Sequence, residues 1–302
     1  MLMNMEDNND GIRFIAEVSS NHFQDIGRCL AFIDAAAETG CWGVKFQLFK
    51  INELFSREIL EKSPVHRKRK DWELPVSFIP EIAEHCRMRN IAFGCTPFYL
   101  HAVHELYPYV DFYKIASYEI LWKELFKECS QTGKPLMMST GMATLDEIEK
   151  AVEWIGQTGC EDLTVFHCVS GYPTPVWECN LKAIQTLRGF VAPLVSKEGQ
   201  VAFGWSDHSV NPGVLYRAIH KWDARVIEFH LDIDGKGEEF AAGHCWLPEM
   251  IAPVIQSVKQ GLRADGNGVK EPVPSELADR QWRADPGDGL RPLIPMRATF
   301  NG

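Results

Sequence analysis

Eight short runs of apolar, β-branched and aromatic residues punctuate the chain, at residues 12–18, 42–49, 91–96, 112–116, 135–139, 163–169, 201–205 and 225–231. Their apolar positions are nearly continuous instead of alternating, the pattern of parallel strands buried on both faces. Amphipathic segments of about 10–15 residues lie between them. Ile26–Thr39 places Cys29, Leu30, Ile33 and Ala37 on one helical stripe. Residues 144–155 open with a capping box, Thr144 and Glu147, and Asn211-Pro212 marks another helix start. Gly40 and Gly133 read as helix terminators. Eight such alternations predict a closed (β/α)8 TIM barrel over residues 12–262 in preference to an open doubly wound sheet. No GxGxxG turn follows the first strand, so a dinucleotide fold lacks its signature. Residues 1–11 read as a disordered leader. Residues 263–302, rich in Gly, Pro and Arg, read as an extended tail tied down by Trp282 and Leu293-Ile294.

Charge and cysteine content narrow the partners. The formal net charge is -10, and only His66 to Lys70 (HRKRK) forms a basic run, so nucleic acid is not expected as a partner. That run reads as a charged, solvated loop. No apolar stretch approaches the roughly 18 residues of a membrane span. The acidic, polar start of the chain is unlike a secretion signal. Nine scattered cysteines without a CxxC pair imply reduced thiols in a cytoplasmic protein.

Polar residues gather at the C-terminal ends of the predicted strands, the face where barrels of this kind do chemistry. In chain order these are Glu17, Asn21 and His22; Lys45 and Gln47; Thr96; Lys114, Ser117 and Glu119; Ser139 and Thr140; His167, Ser170 and Tyr172; Ser206, Asp207 and His208; Glu228 and His230. A buried ammonium needs an anion. Lys45 and Lys114 therefore either pair internally with Glu17 or Glu119, or form an anion site with the hydroxyls of Thr96, Ser117, Ser139 and Ser206. Lysines with fixed hydroxyls suit a phosphate. His208 and His230 are either core imidazoles bonded to backbone or two ligands of a divalent ion completed by oxygen donors. A His, carboxylate and water set fits Mn²⁺ or another first-row ion. Asp207 and Glu228 would orient the rings. His22, His167 and His244 are further ligand candidates.

Taken in order, the blocks FIAEVSSNH, WGVKFQLFK, FGCTPF, FYKIASYEI, KPLMMSTGM, HCVSGYPTP, GWSDHS and VIEFH, spanning residues 14–230, resemble the sialic acid synthase family. That resemblance implies a TIM barrel in which phosphoenolpyruvate condenses with a sugar aldehyde, giving a sialic-acid-like 2-keto-3-deoxy acid and phosphate. By position it implies that Lys45, Thr96, Lys114, Ser117, Ser139 and Ser206 hold the donor, with Ser170, Tyr172, Asn21 and Gln47 nearby. It implies Glu17 and Glu119 as active-site acids, His208 and His230 as ligands of Mn²⁺ (Mg²⁺ or Co²⁺ as substitutes), and a homo-oligomer.

Three departures stand out. The family has asparagine where Ser170 stands. Its Gly-Pro-Asp-His stretch after the second histidine is replaced by DIDGKGEEFAAGHCWLPE, in which Glu238 and Glu239 are loose substitutes for the missing aspartate. Nothing after Leu262 resembles the family's C-terminal antifreeze-like domain. The acceptor half of the site thus reads as rebuilt, and HRKRK becomes a candidate for an acidic sugar. The alternatives are a metal-dependent or Schiff-base pyruvate aldolase using Lys45 or Lys114, and a non-catalytic barrel that serves as a binding subunit.

Overall fold

The computed structural model describes residues 11–195 and 200–300; most of the expected leader falls outside them. All eight expected strands form. They are β1 (Arg13–Glu17), β2 (Gly43–Leu48), β3 (Ala92–Pro97), β4 (Phe112–Ile115), β5 (Leu136–Ser139), β6 (Asp162–Cys168), β7 (Gln200–Asp207) and β8 (Val226–Leu231). Each pairs in parallel with the next, and β8 pairs back onto β1 through Arg13↔Val226 to Glu17↔His230, closing a (β/α)8 barrel. A two-residue strand that the sequence does not announce, β9 (Cys245–Trp246), adds to β8 beside His230 and Leu231.

One main helix follows each strand: α1 (Ile26–Thr39), α2 (Ile79–Met88), α3 (Leu100–Leu106), α4 (Lys123–Ser130), α5 (Leu145–Gly156), α6 (Ala183–Val191), α7 (Pro212–Trp222) and α8 (Pro248–Ala264). Their ends follow local chemistry. Thr144 and Glu147 form the expected capping box, and Asn211 accepts from the Gly213 and Val214 amides. Gly40 closes α1 in the left-handed region at φ 88°. The exception to the simple alternation is the link from β2 to α2, which carries short helices at Ile51–Leu54, Arg57–Lys62 and Pro64–Lys68.

The barrel interior has two chemically distinct levels. Ile15, Ala92, Phe112, Met137, Phe166 and Val226 form its apolar floor, with Trp42 and Ala202 packed against them. Two glycines make room for the rings. A Cβ on Gly94 would overlap the Phe112 ring, and one on Gly204 would overlap Phe166 and the Val226 carbonyl. Each buried ring contributes about 1.5–3 kcal/mol. Because side chains alternate along a strand, inward positions above the floor are polar on several strands, including Glu17, Lys45, Thr96, Lys114, Ser139, Ser206 and Glu228.

The chain divides into two compact units after Gln260. Residues 263–302, expected to be extended, instead carry short turns at Pro274–Glu276 and Asp279–Trp282 and a helix at Ile294–Thr299. The Asp285 carboxylate accepts from the Gly287 and Ile294 amides, Arg297 pairs with Asp288, and the Trp282 and Phe300 rings meet edge-on at 5.8 Å. Among the described residues, no helix is long and apolar enough to cross a membrane.

Candidate active site

The polar level of the barrel is an ion network. Lys45 contacts the Glu17 carboxylate and donates to Thr96 Oγ1 at 3.1 Å. Lys114 donates to Ser139 Oγ at 2.7 Å and to Glu228 Oε1 at 3.2 Å, with its ammonium 5.0 Å from the centre of the Phe166 ring. Glu228 also accepts from Ser206 Oγ at 3.2 Å and lies 3.9 Å from Lys45. All four charged residues are buried.

This arrangement corrects two expectations. The internal partner of Lys114 is Glu228, not Glu119. Nor does Glu228 orient a histidine; it bridges the two lysines. Strand alternation carried the signal, since Glu228 precedes His230 by two and so faces the same way. Burial pushes the Glu228 carboxyl up, but Lys114 and Lys45 overcome this and hold it well below the usual range. Burial likewise opposes charge on Lys45, but Glu17 and Glu228 reverse it and raise the ammonium above its ordinary value. Lys114 goes the other way: burial, with Lys45 adding to it, outweighs its share of Glu228.

Glu119 stands apart from this network on the turn Ser117–Glu119 that follows β4. Its Oε2 is buried and has no hydrogen-bond partner. Burial pushes its carboxyl up to about 8, so it carries a proton at neutral pH. Nearby, Ser117 Oγ accepts from the Gly141 amide at 3.0 Å, while the Ser170 Oγ is buried without a partner.

His208 and His230 are brought together, with ring centres 5.3 Å apart. His208 Nδ1–H donates to the Val169 carbonyl at 2.8 Å, and His230 Nδ1–H donates to Glu239 Oε2 at 2.7 Å. A carbonyl and a carboxylate can only accept, so each ring carries a proton on Nδ1, and Nε2 is the nitrogen left to serve a cation. Two such nitrogens on adjoining strands, beside carboxylates, fit a divalent first-row cation. Tyr172 lies over His208 at 4.1 Å, and His244 packs against His230 at 5.2 Å.

The expected ring orienter Asp207 does something else. It accepts from the indoles of Trp205 and Trp246 and from the Ser209 and Val210 amides, locking the end of β7. His167 Nε2 bonds the Cys179 carbonyl, and His22 Nδ1 accepts from the Gln24 amide. Asn21 donates to the Leu231 carbonyl at 3.0 Å, which ties the loop after β1 to the loop after β8. Gln47 donates to Ser19 Oγ at 3.3 Å.

The basic run is largely spent on its own loop. Arg67 bonds the Leu60 and Glu61 carbonyls, Arg69 stacks on Phe55 and Trp72, and Lys68 pairs with Glu238 at 3.6 Å. Glu239 was underrated by the sequence. Besides His230 it accepts from Ser19 Oγ, from Ser20 Oγ at 3.0 Å, and lies 3.5 Å from His244 Nε2.

Comparison with known proteins agrees with this geometry. Residues 32–270 match the NeuB family. The chain is 31% identical to the N,N'-diacetyllegionaminic acid synthase of Campylobacter jejuni, over 87% of this chain and 80% of that protein. It is 28% identical to the pseudaminic acid synthase of Helicobacter pylori, over 90% and 81% respectively. Among solved structures, it superposes on N-acetylneuraminic acid synthetase from Leptospira borgpetersenii, crystallised with citrate, with TM-score 0.75 and 28% identity, over 89% of this chain and 90% of the other.

Proposed function

This chain belongs to the NeuB family, and from that membership we propose how its site works. It is a phosphoenolpyruvate-dependent synthase that joins the three-carbon donor to a sugar aldehyde and releases phosphate, giving a sialic-acid-like 2-keto-3-deoxy acid. The observation that best supports our assignment of roles is the layer of two buried lysines and three hydroxyls lying below a pair of Nε2-bearing imidazoles.

In our reading, Lys45 and Lys114 neutralise the donor's phosphate and carboxylate, and Thr96, Ser117, Ser139 and Ser206 set its orientation. Ser170, Tyr172 and Gln47 line the approach. The two ammoniums already face two carboxylates, so an entering anion competes with Glu17 and Glu228 for them. His208 and His230 hold a divalent cation, Mn²⁺ in our reading, which supplies Lewis-acid polarisation of the acceptor carbonyl. Donor C3 bonds to the aldehyde carbon, and the aldehyde oxygen takes the proton that burial keeps on Glu119. Water adds at donor C2 and returns one proton to the Glu119 carboxylate; the tetrahedral species then collapses to a ketone as the C2–O bond to phosphorus breaks, the second proton leaving with inorganic phosphate. Glu17, fixed by Lys45 and by the Ser19 amide at 2.9 Å, orients the attacking water.

The acceptor side differs from the family pattern, and we leave the sugar as an aldose of undefined substitution. Nine free cysteines support a reducing, cytoplasmic setting. A homo-oligomer is proposed on the family likeness.

The test is phosphate release from phosphoenolpyruvate with Mn²⁺, screened against aldoses, N-acetylhexosamines and their phosphates. Release that needs both donor and sugar is expected. Silence across the panel with folded, metal-loaded protein would sink the proposal. Borohydride with pyruvate should trap nothing, because both lysines are engaged in ion pairs; trapping at Lys45 or Lys114 would favour the Schiff-base aldolase.

A further inference from the structure

Glu239 has no place in the donor, proton or metal roles assigned above, yet it is the most heavily connected carboxylate at the barrel mouth. One oxygen receives Ser19 and Ser20; the other faces His230 Nδ1 at 2.7 Å and His244 Nε2 at 3.5 Å.

We infer that Glu239 is a positioning residue for the metal site: its carboxylate fixes the tautomer and ring angle of His230, so that His230 Nε2 meets the cation alongside His208. The inference rests on the two-histidine metal site proposed above. Its geometry is that of a carboxylate–histidine–metal relay, in which the outer carboxylate accepts the ring N–H and raises the basicity of the other nitrogen. His208 receives the same service from a backbone carbonyl, which no side-chain change can remove. His230 depends on a side chain supplied from elsewhere.

The chain holds that side chain in place. Glu239 arrives on the short helix Glu238–Ala241 in the loop after β8. Arg28 grips Asp232 and Asp234 at 2.8 and 2.9 Å, and Asp232 in turn accepts the Gly237 amide at 2.9 Å. Asn21 holds the Leu231 carbonyl at the start of the loop. Glu238, the neighbouring acid, is exposed and pairs with Lys68. The two adjacent glutamates therefore have opposite assignments, one to the site and one to the surface. His244 Nε2 approaches the same oxygen of that carboxylate as His230, and its Nδ1 is buried with no partner.

A direct test uses Mn²⁺ alone, titrated by calorimetry into protein stripped with chelator, with pulsed electron paramagnetic resonance counting the imidazole nitrogens on the bound ion. The wild type should bind Mn²⁺ with two coupled nitrogens. Glu239→Ala should weaken Mn²⁺ binding by about 10- to 100-fold. Glu239→Gln should recover much of the loss, because the amide oxygen still accepts from Nδ1–H and the side chain keeps its volume. The recovery separates a positioning role from simple damage to the fold, as does near-ultraviolet circular dichroism of each variant. Glu238→Gln should bind as the wild type does.

Two results would overturn the inference. One is wild-type affinity in Glu239→Ala. The other is loss of a coupled nitrogen in His244→Ala, which would place His244 and Glu239 on the ion itself. If the wild type shows no coupled imidazoles, or His208→Ala keeps full affinity, the two-histidine site fails first. That failure shows before any Glu239 variant is made.

Discussion

Replacing Glu119 with glutamine tests the acid at the centre of the proposed chemistry through two independent readouts. The carboxyl is held up at about 8 against an ordinary 4.5 because burial disfavours its charged form. In metal-free protein, between those two pH values, the folded chain keeps a proton that the unfolded chain has released. The sign follows: stability is greatest below the unfolded value and is lost as pH rises toward the folded one. The slope is about 1.4 kcal/mol per pH unit, which amounts to about 3 kcal/mol by pH 7 and about 5 kcal/mol above pH 8. Glutamine does not titrate, so Glu119→Gln should gain on the wild type by these amounts as pH rises, whatever fixed offset its amide brings. Urea unfolding of both proteins in chelator from pH 4.5 to 8.5 measures the difference directly, and the other titrating groups cancel. Turnover is the second readout. The wild-type kcat should fall as pH climbs through about 8, and Glu119→Gln should lose about 100-fold or more. A stability difference flat in pH, or a variant with undiminished turnover, would refute the reasoning.

Other perturbations probe the layers around that acid. Glu228→Gln leaves Lys114 without its carboxylate and Lys45 with one fewer, and should cost about 3–5 kcal/mol in chemical unfolding; a loss under about 1 kcal/mol would mean the lysines find other anions. The Glu228 carboxyl is depressed to about 2, so its contribution is fully present above the unfolded value, fades as pH falls from about 4.5, and should vanish below about pH 2, where the wild type and Glu228→Gln converge. Gly94→Ala forces a methyl group into the Phe112 ring and should cost about 1–3 kcal/mol or more by the same assay. Ala at Gly133, where an added Cβ meets nothing, is the spatial control, although its left-handed φ of 72° carries its own strain.

The barrel was legible because its strands are short apolar runs whose spacing leaves room for one helix each. Caps at Thr144 and Asn211 were legible for the same local reason. The buried lysine layer was legible too, since a lysine inside an apolar strand needs an anion beside it, and Lys45 has Glu17 there. What escaped was set at long range. Glu228 was assigned to the histidines, although the lysines reaching across the barrel claim it. Asp207 looked like a ring partner, but two indoles from β7 and β9 claim it instead. Glu239 sits on a helix of four residues that no periodicity can detect, and its partners Ser19 and Ser20 lie about 220 positions away. The basic run announced charge but not the rings and carbonyls that absorb it.

The aromatic floor closes one end of the barrel among the described residues. Phe112 and Phe166, admitted by Gly94 and Gly204, stop the lower end with rings that are at most 1% exposed. Among the described residues the rings close that end, so the reaction proposed would draw its traffic to the lysines through the mouth, past Tyr172 and the imidazoles. Whatever rests on the lysines must arrive before the molecule that sits above it, and cannot depart while that molecule remains. For the reaction proposed, this makes the sequence of events compulsory: donor in before sugar, and whatever is left on the lysines out last. Inhibition by phosphate that is competitive against the sugar but not against phosphoenolpyruvate would contradict that order.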